Sequence, residues 1–449
     1  MKVCKFGGTS LASARQIKKA ADIVMSDPQR QLVVVSAPGK RFPEDDKITD
    51  LLISLANAII SGYDGHYEIE AVARRYRDIG SDLGLPEDFG ELVAADLQTR
   101  INRYRPDNNA LTEALKAAGE DLSARLIAAY FNSIHVPATY INPQRAGLLL
   151  IKENGQTSVL PQSYGRLREL RQQSGLLIFP GFFGYDESGR IVTFSRGGSD
   201  ITGSILAAAV EAEVYENWTD VDSVYAVNPS LVHDPKALSE LTYLEMRELA
   251  YAGFTVLHED AIAPAFQNHI PVNIRNTNNP EARGTMIVEH HLSFDSIVTG
   301  IAGSSGFTLL HFSKFLMNRE VGFALKVLQI LADYQIPFEH MPSGIDSISL
   351  VMRSYAFPPE KEALVCRRLR DELGVEDIRV DRNIGIVMIV GEAMAQTVGV
   401  TSRAVGALSR AGINLELIIQ GASEISVIFG VRDVFTNYAI KVLYKEFFF

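Results

Sequence analysis

Residues 2–10 read KVCKFGGTS. Residues 2–6 have the make-up of a short strand. Gly7 and Gly8 then turn the chain, and Thr9 or Ser10 stands where a helix cap is wanted, ahead of Ile17, Ala20 and Ile23 at helical spacing. The next strand-like run, LVVVS at 32–36, is apolar throughout and stops at Pro38-Gly39. Strands buried on both faces of a parallel sheet look like this. After a charged loop at 40–47, an apolar helix is expected around 51–60, and 64–130 reads as mostly helical. Strand-like runs return at 138–142, 175–179, 213–217 and 271–274, alternating with helical runs such as 204–211 and 243–249. That alternation predicts an α/β sandwich built on a mainly parallel sheet.

A chain of 449 residues exceeds one ordinary core, so two to four domains are expected. The formal net charge of −11 repels nucleic acid and anionic lipid, and neither is an expected partner. An anionic ligand therefore needs a local positive site. Cys4 and Cys366 form neither a disulfide framework nor a zinc-type spacing, and no HxxxH or HExxH pair occurs among the histidines, so no histidine-held metal is expected. The opening residues lack a secretory pattern, no apolar run reaches the length of a membrane helix, and a cytoplasmic location is expected.

From about residue 296 an internal repeat appears. VGFALKVLQILADYQIPFEHMPSGIDSIS from Val321 lies on VGVTSRAVGALSRAGINLELIIQGASEIS from Val398, shifted by 77 positions without a gap. Ile336 falls on Ile413, Glu339 on Glu416, Gly344 on Gly421 and Ile348-Ser349 on Ile425-Ser426, and apolar positions agree between them. Each copy reads strand, helix, strand, tight turn, strand, helix, the ferredoxin-like pattern. The opening strand of the second copy is either 387–390 or partly 297–302.

Five stretches carry chemistry. Lys5-Phe6-Gly7-Gly8-Thr9-Ser10 delivers a cation and a glycine turn to a helix start, which suits a phosphate; it lacks Walker A spacing and is equally a structural turn. Residues 193–200, TFSRGGSD, repeat the arrangement with a cation, hydroxyls and a carboxylate; Arg196 suits a carboxylate ligand, while for one of Ser199 and Asp200 a helix cap is the first reading. Residues 217–225, NWTDVDSVY, follow a strand, where α/β sheets bind ligands, or form an ordinary Asp-rich turn. Glu120 follows Gly119 in a helical stretch, and Thr49 lies in KITD at 47–50; each alone would carry nothing.

Together and in this order, KFGGTS, VVSAPG at 34–39, GEDLS at 119–123, PGFFG at 180–184, FSRGGSD at 194–200, WTDVDSVY at 218–225 and VLH at 256–258 resemble the aspartokinases of the amino-acid kinase fold family. The resemblance implies a three-layer α/β/α catalytic domain over 1–290. It also implies two ferredoxin-like βαββαβ ACT domains: the first at 306–382, inserted into the second at 296–305 and 383–449. The implied activity is transfer of the γ-phosphoryl group of ATP, with Mg²⁺, to the β-carboxylate of L-aspartate. Lys5 and Asp200 would be catalytic. Arg196 would hold the substrate α-carboxylate, Glu120 its α-ammonium, and Thr49 and Ser199 the attacking carboxylate. Lys5, Gly7, Gly8, Ser10, Thr219, Asp220 and Tyr225 would line the ATP site. Met317, Phe323, Ala324, Phe338, Glu339 and Ser343 would bind an amino-acid effector, lysine first and threonine second, in a homo-oligomer formed through the ACT domains; Phe323 and Phe338 are equally readable as core. Ser230 and Thr255 stand where many relatives carry cations, which implies a weaker or rearranged grip on ATP. Two other readings remain at this stage: a kinase of the same fold acting on another carboxylate, and an inert amino-acid sensor on a kinase shell.

Overall fold

The structure, a computed structural model, describes residues 1–449 except 87, 154, 196, 255–258, 292, 295 and 422–424. The chain divides into two compact units: Met1–Val224 with Ala237–Arg247 and Thr255–Leu292, and Tyr225–Lys236 with Glu248–Phe254 and Ser293–Phe449. The segments Tyr225–Lys236 and Glu248–Phe254, expected in the catalytic domain, thus group with the second unit. One reason is backbone pairing: Ile301 N–H donates to the Ala226 carbonyl at 2.7 Å.

The strands of the first unit are β1 (Lys2–Phe6), β2 (Arg30–Val35), β3 (Ala138–Tyr140), β4 (Leu150–Glu153), β5 (Gln156–Val159), β6 (Leu176–Pro180), β7 (Phe183–Tyr185), β8 (Ile191–Thr193), β9 (Tyr215–Thr219), β10 (Glu240–Thr242), β11 (Val272–Asn276) and β12 (Thr285–Val288). Eight of them form one sheet in the order β10-β12-β11-β9-β1-β2-β6-β3, parallel except where β12 runs against β11. The residues Leu32–Val35 are buried without alternation, as a parallel strand covered on both faces requires. Cys4, Phe6, Val33, Val35 and Ile178 pack into the core built by the helices from Ala14–Met25 to Asn108–Ser133. The helix Gly198–Ala209 packs against β1 and β2 as well. β1 has β2 on one side and β9 on the other, so the strand order reverses beside it. Open α/β sheets bind ligands at the strand ends of such a crevice.

A charged cluster ties β2, β9 and β11 together. Arg30 grips Glu216 with two bonds, at 2.7 and 3.1 Å, Trp218 Nε1 donates to the same carboxylate at 3.0 Å, and Arg275 lies over the Trp218 ring at 4.5 Å. The cap of the first helix is a correction. Ser13, not Thr9 or Ser10, accepts from Gln16 N–H, because the Ser10 hydroxyl is engaged with Thr277 at 2.7 Å and Thr9–Leu11 forms a 3₁₀ turn.

His291 fastens the start of the helix Tyr243–Tyr251. Its Nε2 lies 2.8 Å from Glu245 Oε2 and its Nδ1 3.0 Å from Glu240 Oε1. Glu245 and Thr242 also exchange the two bonds of a capping box. Burial opposes a charge on the ring, but the two carboxylates outweigh it and hold the histidine above its usual 6.5. A raised folded value gives stability that is full below the unfolded value and lost as pH rises through the folded one. The Tm advantage of the wild type over His291→Gln is therefore expected to be full below the usual 6.5 and to shrink as pH rises through the raised value.

In the second unit, β13 (Gly300–Ser313), β14 (Ser347–Arg353), β15 (Asp377–Val390), β16 (Leu417–Gln420) and β17 (Ser426–Arg432) form one sheet in the order β14-β13-β15-β17-β16. The two repeat copies share it, because β13 and β15 each serve both. The second half of β13 pairs with β14, and β15 pairs with β17 through Ile384–Val390. The opening strand of the second copy is thus the end of β15, and the start of β13 closes that copy from the other side. The repeat extends to backbone conformation. Gly322 and Gly399 precede the matching helices Phe323–Asp333 and Val400–Arg410 at φ 77° and 90°, and Gln335 and Gly412 follow them at 53° and 72°. Left-handed backbone of this kind explains both glycines at the helix starts.

Candidate active site

Lys5 stands at the end of β1, in register with Asn217 of β9. Its Nζ lies 2.5 Å from Asp200 Oδ1 and 3.4 Å from Asn217 Oδ1, and Asn217 Nδ2 donates to Asp200 Oδ1 at 2.9 Å. Asp200 belongs to the first turn of the helix Gly198–Ala209, entered through Gly197 at φ 72°. The second glycine turn therefore does reach the lysine of the first. Arg196 itself lies outside the described residues, as does Thr255. The lysine is buried, and Asp200 is the carboxylate that the described residues place beside it.

The two loops beyond β1 and β2 are pressed together. Gly39 N–H donates to the Gly8 carbonyl at 2.8 Å, and a Cβ on Gly39 would fall 2.6 Å from the Gly8 carbonyl carbon. Gly7 donates its amide to Trp218 O at 3.1 Å rather than presenting it, so what it contributes is the lack of a side chain beside the Lys5 ammonium. Ser10 has its hydroxyl on Thr277, also away from the expected phosphate role. Gly181, whose amide donates to Val35 O, abuts Ser199: a Cβ there would come within 2.7 Å of the serine hydroxyl.

Glu120 rises from the helix Asn108–Ser133 into this crevice. Gly119 allows it, since a Cβ there would meet that of Ala37 at 2.8 Å. The carboxyl is fully buried. Burial pushes its pKa up to about 8, against the Ala37 N–H that favours the charged form. Its Oε2 has no hydrogen-bond partner among the described residues. Buried carboxylates are normally paired, which sets this oxygen apart. Thr49, half-buried, sits in the first turn of the helix Ile48–Ile60, whose first amide donates to Pro38 O at 3.3 Å.

Toward β11, Thr219 Oγ1 donates to Asp220 at 3.2 Å, Thr277 N–H donates to Thr219 O at 2.9 Å, and Asp222 accepts from Asn276 at 2.8 Å. Tyr225 groups with the second unit. Three residues here were given no role by the sequence, although Asn217 opens the stretch 217–225 and Phe182 lies in PGFFG. Asn217 gains one only through strand register. Phe182 holds a positive φ of 73° beside Gly181, a strained position for a large residue. Lys116 bonds Thr193 at 3.0 Å and lies 5.8 Å above the Phe182 ring. A cavity of about 760 Å³, lined among others by Asp107, Glu113, Lys152 and Arg190, includes none of the expected site residues.

In the second unit, Met317 and Phe323 are buried in the core of the first copy, Ala324 is partly buried and packed against it, and Phe338 is 41% exposed. Glu339 accepts from the Tyr251 hydroxyl and lies 3.5 Å from Arg353 Nε, and Ser343 pairs with Ile348 across the turn.

The sequence model of the amino acid kinase family matches residues 1–276, and that of an ACT domain matches 387–447. Aspartokinase 3 of Bacillus subtilis (strain 168) is 48% identical over 448 residues, covering 100% of this chain and 99% of its own. The crystal structure of Clostridium acetobutylicum aspartate kinase superposes with a TM-score of 0.86 at 36% identity, covering 100% of both chains. E. coli aspartokinase III, in complex with aspartate and ADP (R-state), gives 0.79 at 26% with the same coverage; its complex with lysine and aspartate (T-state) gives 0.75. On sequence and structure together, the chain belongs to the amino acid kinase family, in its aspartokinase branch.

Proposed function

We propose that the protein transfers the γ-phosphoryl group of ATP to the β-carboxylate of L-aspartate, giving 4-phospho-L-aspartate, the entry to lysine, threonine and methionine synthesis, and that lysine inhibits it. The observation that carries the substrate assignment is Glu120. A fully buried carboxylate with an unpartnered oxygen, in the crevice of the Lys5 turn, is complementary to an α-ammonium. The substrates and effector follow the E. coli relative, solved with aspartate and ADP and with lysine.

The nucleophile is the substrate's own carboxylate, ionised at neutral pH, so no general base is required. Catalysis then consists of positioning and charge neutralisation. Arg196 would take the α-carboxylate, and Thr49 and Ser199 would aim the β-carboxylate. Lys5 would shift from Asp200 toward the oxygens of the transferring group, where negative charge must be stabilised. Asp200 would hold the lysine in place. Gly7 and Gly8 keep side chains out of the phosphate path, Ser10 braces that turn through Thr277, and Thr219 and Asp220 would line the nucleotide. Among the described residues no group of three or more metal-binding side chains occurs. A magnesium ion would therefore be held largely by nucleotide phosphates and water, with Asp200 or Asp220 as protein carboxylates, and would neutralise phosphate charge.

For the regulatory unit, Glu339 would receive the ammonium of the effector and Phe338 its chain. Val321, Leu325 and Ile345 of the first copy are 96, 70 and 72% exposed, apolar side chains of the kind that self-association would cover. No described helix is long and apolar enough to cross a membrane, and the chemistry proposed is that of the cytoplasm.

Trapping the acyl phosphate with hydroxylamine tests the reading. With ATP and Mg²⁺, aspartate should give hydroxamate, while glutamate and succinate, which lacks the ammonium, should give little. No hydroxamate from aspartate would leave the inert-sensor reading in its place.

A further inference from the structure

Glu339 and Glu416 occupy the same place in the two repeat copies but have different partners. Glu416 accepts from Arg432, at the end of β17, at 2.9 Å: an ion pair closed within its own copy. Arg353, at the end of the matching strand β14, is drawn elsewhere. Its Nη1 donates to Ser304 Oγ at 2.9 Å and its guanidinium lies 4.1 Å above the Phe307 ring, so its Nε stops 3.5 Å from Glu339. The close donor on Glu339 is instead the hydroxyl of Tyr251, a residue outside both copies, at the end of the helix Tyr243–Tyr251. The edge of the neighbouring His340 ring meets the tyrosine ring, with centroids 5.9 Å apart.

A carboxylate held by a phenol differs from one held by a guanidinium. The phenol donates one hydrogen bond and neutralises no charge. An ammonium arriving at Glu339 displaces that bond, with the Arg353 cation standing 3.5 Å off, whereas at Glu416 it would have to displace a cation bonded at 2.9 Å. We propose that Tyr251 completes the amino-acid pocket of the first copy as a removable stand-in, its hydroxyl occupying the place on Glu339 that the ammonium of the bound amino acid takes. The same comparison makes the second copy the weaker receptor for an ammonium. This inference rests on the effector reading above.

Calorimetric titration of the full chain with L-lysine, and with L-threonine as a second probe, tests it in the wild type, Tyr251→Phe and Glu339→Gln, with circular dichroism as the check on folding. Tyr251→Phe removes only the competing hydroxyl, so it should bind the amino acid about five- to tenfold more tightly. Binding to the wild type should also give a tyrosine ultraviolet difference signal that Tyr251→Phe lacks. Glu339→Gln should bind at least about tenfold more weakly. Unchanged or weaker binding in Tyr251→Phe, with Glu339→Gln still impaired, would overturn the role of Tyr251 and leave the effector reading intact. No binding of either probe, or binding indifferent to Glu339→Gln, would remove the effector reading and the role of Tyr251 with it.

Discussion

Lys5→Met is expected to lower kcat by about 10³-fold, with a folded protein and little change in KM for aspartate. Methionine matches the length of the lysine stem but carries no charge. The lysine lies at the strand end where the order of the sheet reverses, between Asp200 and Asn217, and it is the one described cation placed beside the Gly7-Gly8 turn. Phosphoryl transfer asks the protein for little beyond charge placement, so removing that charge removes most of what the site supplies. A loss of 10³ corresponds to about 4 kcal/mol of transition-state stabilisation, near the upper end for one donor in a dry site. Asp200 retains the Asn217 amide, which limits the structural cost, and Lys5→Met combined with Asp200→Asn controls for an unpaired carboxylate. Steady-state kinetics decide the matter: a single variant within about tenfold of the wild type would place the essential charge elsewhere.

Glu120→Gln should raise KM for aspartate by about 10²-fold, since an amide cannot neutralise the ammonium it faces. The same substitution should stabilise the ligand-free protein. Burial holds the carboxyl at about 8 instead of 4.5, so between those values the folded state keeps a proton that the unfolded chain has lost. Stability therefore falls as pH climbs through that window, and the glutamine variant escapes the loss. Above neutral pH its Tm should exceed that of the wild type. Wild-type KM for aspartate should fall nearly tenfold per unit as pH rises toward about 8 and then level, because the free site must lose its proton to accept the ammonium. A structural carboxylate would give the opposite pairing, with lower stability and an unmoved KM.

The parts of the fold legible in the sequence are those set by local pattern. The unbroken apolar run at Leu32–Val35 specified a parallel strand, and the shifted lettering of 321–349 and 398–426 marked a repeat that the structure carries down to the left-handed residues flanking its helices. Three- and four-residue pieces such as β7, β8, β10 and β12 are too short to show a period, and their pairing comes from the rest of the sheet. Three hydroxyls at 9, 10 and 13 compete to cap the first helix. The choice falls to Ser13 because Ser10 is bonded to a threonine 267 positions away, which no local pattern reveals. The candidate site divides the same way. Lys5 and Asp200 stood out beside their glycines, whereas Asn217 becomes a partner only through the register of β9 on β1. Glu120, in a helical stretch after Gly119, carried nothing by itself and gained a role only through the resemblance. Its isolation depends on Gly119 letting the helix close over Ala37, and its oxygen is left without a partner only after that packing is complete. Tyr251 carried no signal, because its counterpart Glu339 lies 88 positions along the chain.

Proton release on aspartate binding tests the central claim most directly. Calorimetry at pH 7, in two buffers of different ionisation enthalpy, should show close to one proton (about 0.9) leaving the wild type for each aspartate bound, and none leaving Glu120→Gln, since the free carboxyl titrates at about 8 and the bound one must be ionised. Tight aspartate binding with no proton exchanged in either protein would contradict the assignment of Glu120 as the buried receptor for the substrate ammonium.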